Sequence, residues 1–194
     1  MGSSLEAFLV SAGVVALAEI GDKTQLLALV LSVRFRKPVP IVLGILVATL
    51  ANHALAGAVG SWLAAAIGPQ SMRWILGGSF IAMAIWTLIP DKYEESTENR
   101  FRLGAFATTL IAFFLLEMGD KTQIATVALA ARYSALVAVV AGTTAGMMIA
   151  NVPAVLLGEV AAKKLPLRLV HGIAALIFLA MGVAVLLGVN IGLG

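Results

Sequence analysis

The sequence predicts an all-α integral membrane protein of six transmembrane helices, arranged as two inverted three-helix repeats. Three observations predict it. Of 194 residues, 61% are apolar and 12% are charged, whereas about a quarter of an ordinary soluble domain is charged. The apolar residues fall into six runs separated by turn or charge signals. The first half of the chain recurs in the second, and with three runs per copy the second copy must enter the bilayer from the opposite side.

The first run, Leu5 to Ser32, is longer than the ~20 apolar residues that cross a ~30 Å hydrocarbon core. No basic segment precedes it, so it reads as a retained helix and not as a cleaved secretory signal. Arg34-Phe35-Arg36-Lys37-Pro38 closes it, and the second run, Val39 to Ile67, ends at Gly68-Pro69-Gln70-Ser71. The third, Met72 to Ile89, leads into the polar stretch Pro90 to Arg102. Leu103 to Ala131, Ala135 to Ala162 and Leu167 to Val189 follow, divided by Arg132-Tyr133-Ser134 and Lys163-Lys164-Leu165-Pro166. The expected organisation is a first repeat over 1–90, a cytoplasmic linker over 91–102 and a second repeat over 103–194. The acids Asp91, Glu94, Glu95 and Glu98 read as solvated linker, with recruitment of cytosolic metal as the alternative.

Lysine and arginine set the orientation. Arg34, Arg36, Lys37, Lys92, Arg100, Arg102, Lys163, Lys164 and Arg168 fall on the side of the odd-numbered loops, against Arg73 and Arg132 on the other. The positive-inside rule therefore predicts both termini outside the cytoplasm. Trp62, Trp74 and Trp86 lie toward run ends, where interfacial indoles anchor.

The most informative feature is the repeat itself. Glu19-Ile20-Gly21-Asp22-Lys23-Thr24-Gln25 recurs as Glu117-Met118-Gly119-Asp120-Lys121-Thr122-Gln123, identical at six of seven positions. The register extends to Ala51-Asn52 with Ala150-Asn151, to Gly60 with Gly158, and to Arg73 with Arg168. Each motif falls mid-run, where an ionisable side chain costs a few kcal/mol and marks a functional site by default. Glu and Asp at i and i+3, with Gln at i+6, share one face of a continuous helix. Four carboxylates can thus converge. Gly21 and Gly119 between the acids permit close helix approach, or a local break that frees carbonyl oxygens for an ion.

The intramembrane charges Glu19, Asp22, Glu117 and Asp120, with Lys23 and Lys121, sum to −2 when all are ionised. One divalent cation neutralises that, and so do two protons. Competition for the same oxygens is sufficient for antiport, provided the empty carrier cannot reorient. With no cysteine and two histidines, the donors are carboxylate, amide, hydroxyl and backbone oxygens. Such donors suit Mg2+, Ca2+ or Mn2+ better than zinc or copper. Asn52 and Asn151 are further candidate ligands, or else interhelical hydrogen-bond glue. Gln25 and Gln123 join the candidates. Thr24 and Thr122 either ligate or satisfy their own helix backbone. Lys23 and Lys121 are either part of the ion cycle or permanent counterions. His53, whose counterpart is Val152, reads as a packed or hydrogen-bonded histidine, with a proton relay as the alternative. His171 reads as interfacial, and Met118, Met147 and Met148 as filler, with a soft thioether ligand to Mn2+ as the alternative. Gly57, Gly60, Gly142 and Gly146 have spacings of close helix packing.

The paired Glu-x-Gly-Asp-Lys-Thr segments resemble the signature of the cation/proton exchanger family also called the Ca2+:H+ antiporter-2 family. That family includes Golgi and chloroplast-envelope manganese and calcium transporters and MneA-type manganese exporters of bacteria. The likeness covers nearly the whole chain, and neither copy departs from the motif. It implies a six-span protein of the bacterial plasma membrane that exports Mn2+ or Ca2+ in exchange for protons, with Glu19, Asp22, Glu117 and Asp120 at the transport site. The metal is cargo and no cofactor is expected. The expected partners are the cation, protons and the lipid bilayer, with no nucleic acid. Export of a cationic amino acid or similar solute is the alternative, and a channel without alternating access is another. An enzyme is disfavoured, because no nucleophile with a paired base and no water-activating histidine cluster occurs.

Overall fold

The computed structural model of the chain describes residues 4–89, 103–157 and 167–188. The described residues form eight α-helices and no strand. They are α1 (Ser4–Glu19), α2 (Lys23–Phe35), α3 (Pro38–Ala66), α4 (Pro69–Thr87), α5 (Ala105–Glu117), α6 (Lys121–Arg132), α7 (Leu136–Leu157) and α8 (Leu167–Leu186). The linker 91–102 and the Lys163-Lys164 turn lie outside the described residues.

Two of the six apolar runs are broken in the middle. The helix that begins at Ser4 stops at Glu19 and restarts at Lys23, bent by 71°. The second copy does the same between Glu117 and Lys121. Gly21 at φ 85° and Gly119 at φ 77° occupy the left-handed region, which costs an L side chain about 1–2 kcal/mol and a glycine almost nothing. The shared helical face expected for Glu19 and Asp22 therefore does not exist. The local break does, because hydropathy reports apolarity but not backbone handedness.

By length and composition, α3, α7 and the stretch Leu169–Leu186 of α8 can each cross a membrane, and α1 with α2 makes a fourth, bent span. Helix α5 is apolar but only 13 residues long, because the break cuts it short. Helix α4 carries Gln70 and Arg73 near its start, which lowers its apolar character.

Packing crosses the two halves of the sequence. The long helix α7 lies along α1 and touches α2, while its counterpart α3 lies against α5 and α6. Helices α3 and α7 also cross each other, and α4 pairs with α8, where Phe80 and Phe178 stack at 6.4 Å between centroids. Small residues make the close crossings possible. A Cβ on Gly146 would come 2.5 Å from the Ala12 carbonyl oxygen, and one on Gly142 would come 2.4 Å from that of Phe8. On α3, Gly60 stands against α6 in the same way, with Val127 O only 2.2 Å from a Cβ position.

The result is apolar outside and polar at its centre. Leu43, Leu50, Val137, Ile149, Leu156 and Leu176 are exposed, as are Trp62 and Trp74. Such a surface suits lipid, where apolar side chains need no burial. Glu19, Asp22, Asn52, His53, Glu117, Asp120, Lys121 and Asn151 are all buried.

Candidate cation site at two helix breaks

Each break is built by its own motif. The Asp22 N–H donates to the Glu19 carbonyl at 3.0 Å, and the Asp120 N–H to that of Glu117 at 3.1 Å. The Gly21 N–H donates to Gln25 Oε1 at 3.0 Å, and the Gly119 N–H to Gln123 Oε1 at 2.7 Å. Each glutamine thus caps a backbone donor that the interrupted helix leaves unpaired. Asp22 and Asp120 stand at the N-cap positions of α2 and α6, yet neither carboxylate bonds its own helix start.

The carboxylates turn across the molecule instead. Lys23 Nζ lies 2.6 Å from Asp120 Oδ1, and Lys121 Nζ pairs with Asp22 Oδ1. The two motifs therefore exchange ion pairs reciprocally. The Thr24 hydroxyl donates to Glu19 and the Thr122 hydroxyl to Glu117, so neither threonine spends its hydroxyl on its own backbone.

Three acids meet at the centre. Oxygens of Glu19, Glu117 and Asp120 lie within 4.8 Å of one another, all on buried side chains. Glu19 Oε1, Glu117 Oε2 and Asp120 Oδ2 have no hydrogen-bond partner among the described residues. Buried oxygens left without donors carry a penalty of several kcal/mol unless a proton or a cation satisfies them. Such a cluster can hold a small multivalent cation, or protons in its place.

Of the four expected carboxylates, Asp22 stands apart from this trio and is engaged with Lys121. Asn52 bridges helices, its Nδ2 donating to the Phe114 carbonyl at 3.0 Å and its Oδ1 accepting from Gln123 Nε2 at 3.4 Å. Asn151 donates to the Met147 carbonyl at 3.0 Å, while its buried Oδ1 has no partner among the described residues. Gln25 Nε2 donates to the Ala150 carbonyl at 2.8 Å, which ties α2 to α7.

Both histidines lie closer to the site than sequence reasoning places them. His53 is fully buried on α3, with Nε2 3.7 Å from Glu117 Oε1. Its neighbour Asn52 in a mid-run helix was the available signal, and the mismatch with Val152 hid it. A ring nitrogen of His171 lies 2.7 Å from the Ile20 carbonyl, inside the first break. Nothing in the sequence indicates that contact, which spans 151 positions.

Known proteins resemble the chain over most of its length. The profile of the family described as "Divalent cation/proton antiporter GDT1" matches residues 7–95 and 105–191. A Vibrio cholerae protein named "Putative manganese exporter" is 53% identical over 178 residues, covering 90% of this chain and 88% of that protein. "GDT1-like protein 3" of Oryza sativa subsp. indica is 26% identical over 205 residues, 92% of this chain and 73% of its own. "Protein PAM71-homolog, chloroplastic" of Arabidopsis thaliana is 24% identical over 216 residues, 94% of this chain and 59% of its own. No solved structure matches the chain.

Proposed function

This chain belongs to the divalent cation/proton antiporter GDT1 family, and from that premise we propose that it exports Mn2+, with Ca2+ as the second choice, from a bacterial cytoplasm in exchange for protons. The observation that carries this reading is the meeting of three buried carboxylates from both motif copies within 4.8 Å. Glu19 comes from the first copy, and Glu117 and Asp120 from the second. The preference for manganese is supported by the printed name of the Vibrio cholerae relative.

The ion pairs sharpen the charge argument. Lys121 is engaged with Asp22 and Lys23 with Asp120. What remains uncompensated is Glu19 and Glu117, a charge of −2. One divalent cation or two protons balance it, so the two cargoes exclude each other at the same oxygens. Carrying a divalent cation outward against ~100 mV costs roughly 4.6 kcal/mol, and two protons moving inward cancel that charge movement. A cluster this tight fits a point charge better than the ammonium and carboxylate ends of an amino acid, which argues against the solute-exporter alternative.

The proposed architecture is six spans in two inverted three-helix repeats, with α1–α2 and α5–α6 as the two broken spans. Its support is the reciprocity of the site: equal breaks, equal glutamine caps and crossed lysine–aspartate pairs. Rocking one repeat against the other would then open the acids to either side in turn. Glu19, Glu117 and Asp120 are the proposed primary ligands, with Asn151 Oδ1 as a further oxygen and Asp22 as counterion to Lys121. Gln25 and Gln123 are proposed to hold the breaks, and Asn52 to join the second of them to α3. Both termini are proposed to lie on the outer face of the bacterial inner membrane.

The test is proton-driven Mn2+ movement by the purified protein in proteoliposomes. Uphill transport that collapses with the proton gradient is expected, with Glu19→Gln and Glu117→Gln each inactive but folded. Full activity in both variants, or downhill leakage alone, would overturn the reading.

A further inference from the structure

We propose that His53 is a nitrogen ligand to the transported cation and the residue that biases the site toward manganese over calcium. The inference rests on the exchanger reading above and deepens it. His53 lies on α3, which packs against α5 and α6, the two helices that flank the second break. The ring is fully buried and its Nε2 faces Glu117 Oε1 at 3.7 Å. That separation is too long for a hydrogen bond, and neither ring nitrogen has a hydrogen-bond partner among the described residues. Glu117 Oε1 accepts from the Thr122 hydroxyl, while Glu117 Oε2 has no donor among the described residues, so a buried ring beside this carboxylate is served by a shared partner.

The spacing suits an ion between them. Two donors about 2.2 Å from a common ion, between magnesium and calcium bond lengths, lie about 3.1 Å apart when adjacent and about 4.4 Å apart when opposite. The histidine–glutamate separation of 3.7 Å falls inside that interval, and the 4.8 Å carboxylate cluster needs to close by only a few tenths of an ångström. Neutral imidazole also adds a donor without altering the charge of −2 that the cargo must balance.

The donor set then determines selectivity. Calcium takes oxygen ligands, whereas imidazole nitrogen suits first-row transition ions. Carboxylates alone leave calcium and manganese close competitors. One nitrogen tilts the site toward manganese, and it comes from the first half only, since Val152 stands at the corresponding position of the second.

Pulsed electron paramagnetic resonance of Mn2+ bound to the purified full-length protein tests this directly. The chain has only two histidines, so the assignment is clean. Nitrogen-14 modulation is expected in the parent protein and in His171→Gln, replaced by nitrogen-15 modulation after histidine labelling and lost in His53→Gln. In the same variant Mn2+ affinity is expected to fall about tenfold with Ca2+ affinity unchanged. Mn2+ bound without histidine modulation in the parent protein, or an unchanged manganese-to-calcium ratio in folded His53→Gln, overturns the ligand role and leaves the exchanger standing. Mn2+ binding indifferent to both Glu19→Gln and Glu117→Gln overturns the exchanger itself, and this inference with it.

Discussion

Lys121 is almost fully buried and its partner Asp22 completely so, whereas the Lys23 side chain is 21% exposed. The two reciprocal pairs are therefore unequal in what their loss costs. Removing one partner of a buried pair leaves an uncompensated charge and costs about 3–5 kcal/mol. Lys121→Met is expected to lower the thermal unfolding midpoint clearly more than Lys23→Met, with the double variant Lys121→Met/Asp22→Asn recovering most of the loss. Tryptophan fluorescence in detergent reads this, and equal effects of the two lysines would contradict the burial difference. At this scale the acids were legible, because four carboxylates in the middle of apolar runs have no other economical reading. The partners were not. Which lysine meets which aspartate depends on contacts about a hundred residues apart, and His53 was obscured by the very symmetry that revealed the motif.

The same limit holds for elements. A run from Leu5 to Ser32 is continuous in hydropathy, yet α1 ends at Glu19 because Gly21 takes φ 85° and turns the chain. Gly21→Ala and Gly119→Ala are each expected to cost about 1–2 kcal/mol from the left-handed backbone alone, with transport falling alongside the unfolding midpoint. Close packing gives a second contrast. Gly146→Ala drives a Cβ toward the Ala12 carbonyl, while Gly172 has nothing within 4 Å of its Cβ position. Gly146→Ala is expected to reduce folded yield and Gly172→Ala to leave it unchanged, measured by monodisperse recovery on size exclusion. Small-residue spacing in the sequence pointed to Gly57, Gly60, Gly142 and Gly146. It did not say that α7 closes on the broken helix of the other half.

Across the whole molecule, the proposed topology places Ser4 and Ser134 outside and Lys37 inside. The chain contains no cysteine, so single replacements report cleanly. Ser4→Cys and Ser134→Cys are expected to react with a membrane-impermeant maleimide added to whole cells, and Lys37→Cys only after lysis. Labelling of Lys37→Cys in intact cells would overturn the orientation. Proton competition operates at this scale too: apparent Mn2+ affinity is expected to fall with falling pH, by up to about a hundredfold per unit if two protons are displaced per ion. Isothermal titration across pH checks that slope.

Composition and the doubled motif sufficed for a helical membrane chain, a duplicated unit and acids at its centre. Those properties are local or periodic, and apolarity, charge and repetition can be counted along a line. The tertiary structure decided where the helices break, which carboxylates meet, how lysines and aspartates cross between copies, and that His53 faces Glu117. Each of those depends on backbone handedness at a glycine or on the approach of distant segments, and neither leaves a trace in residue order.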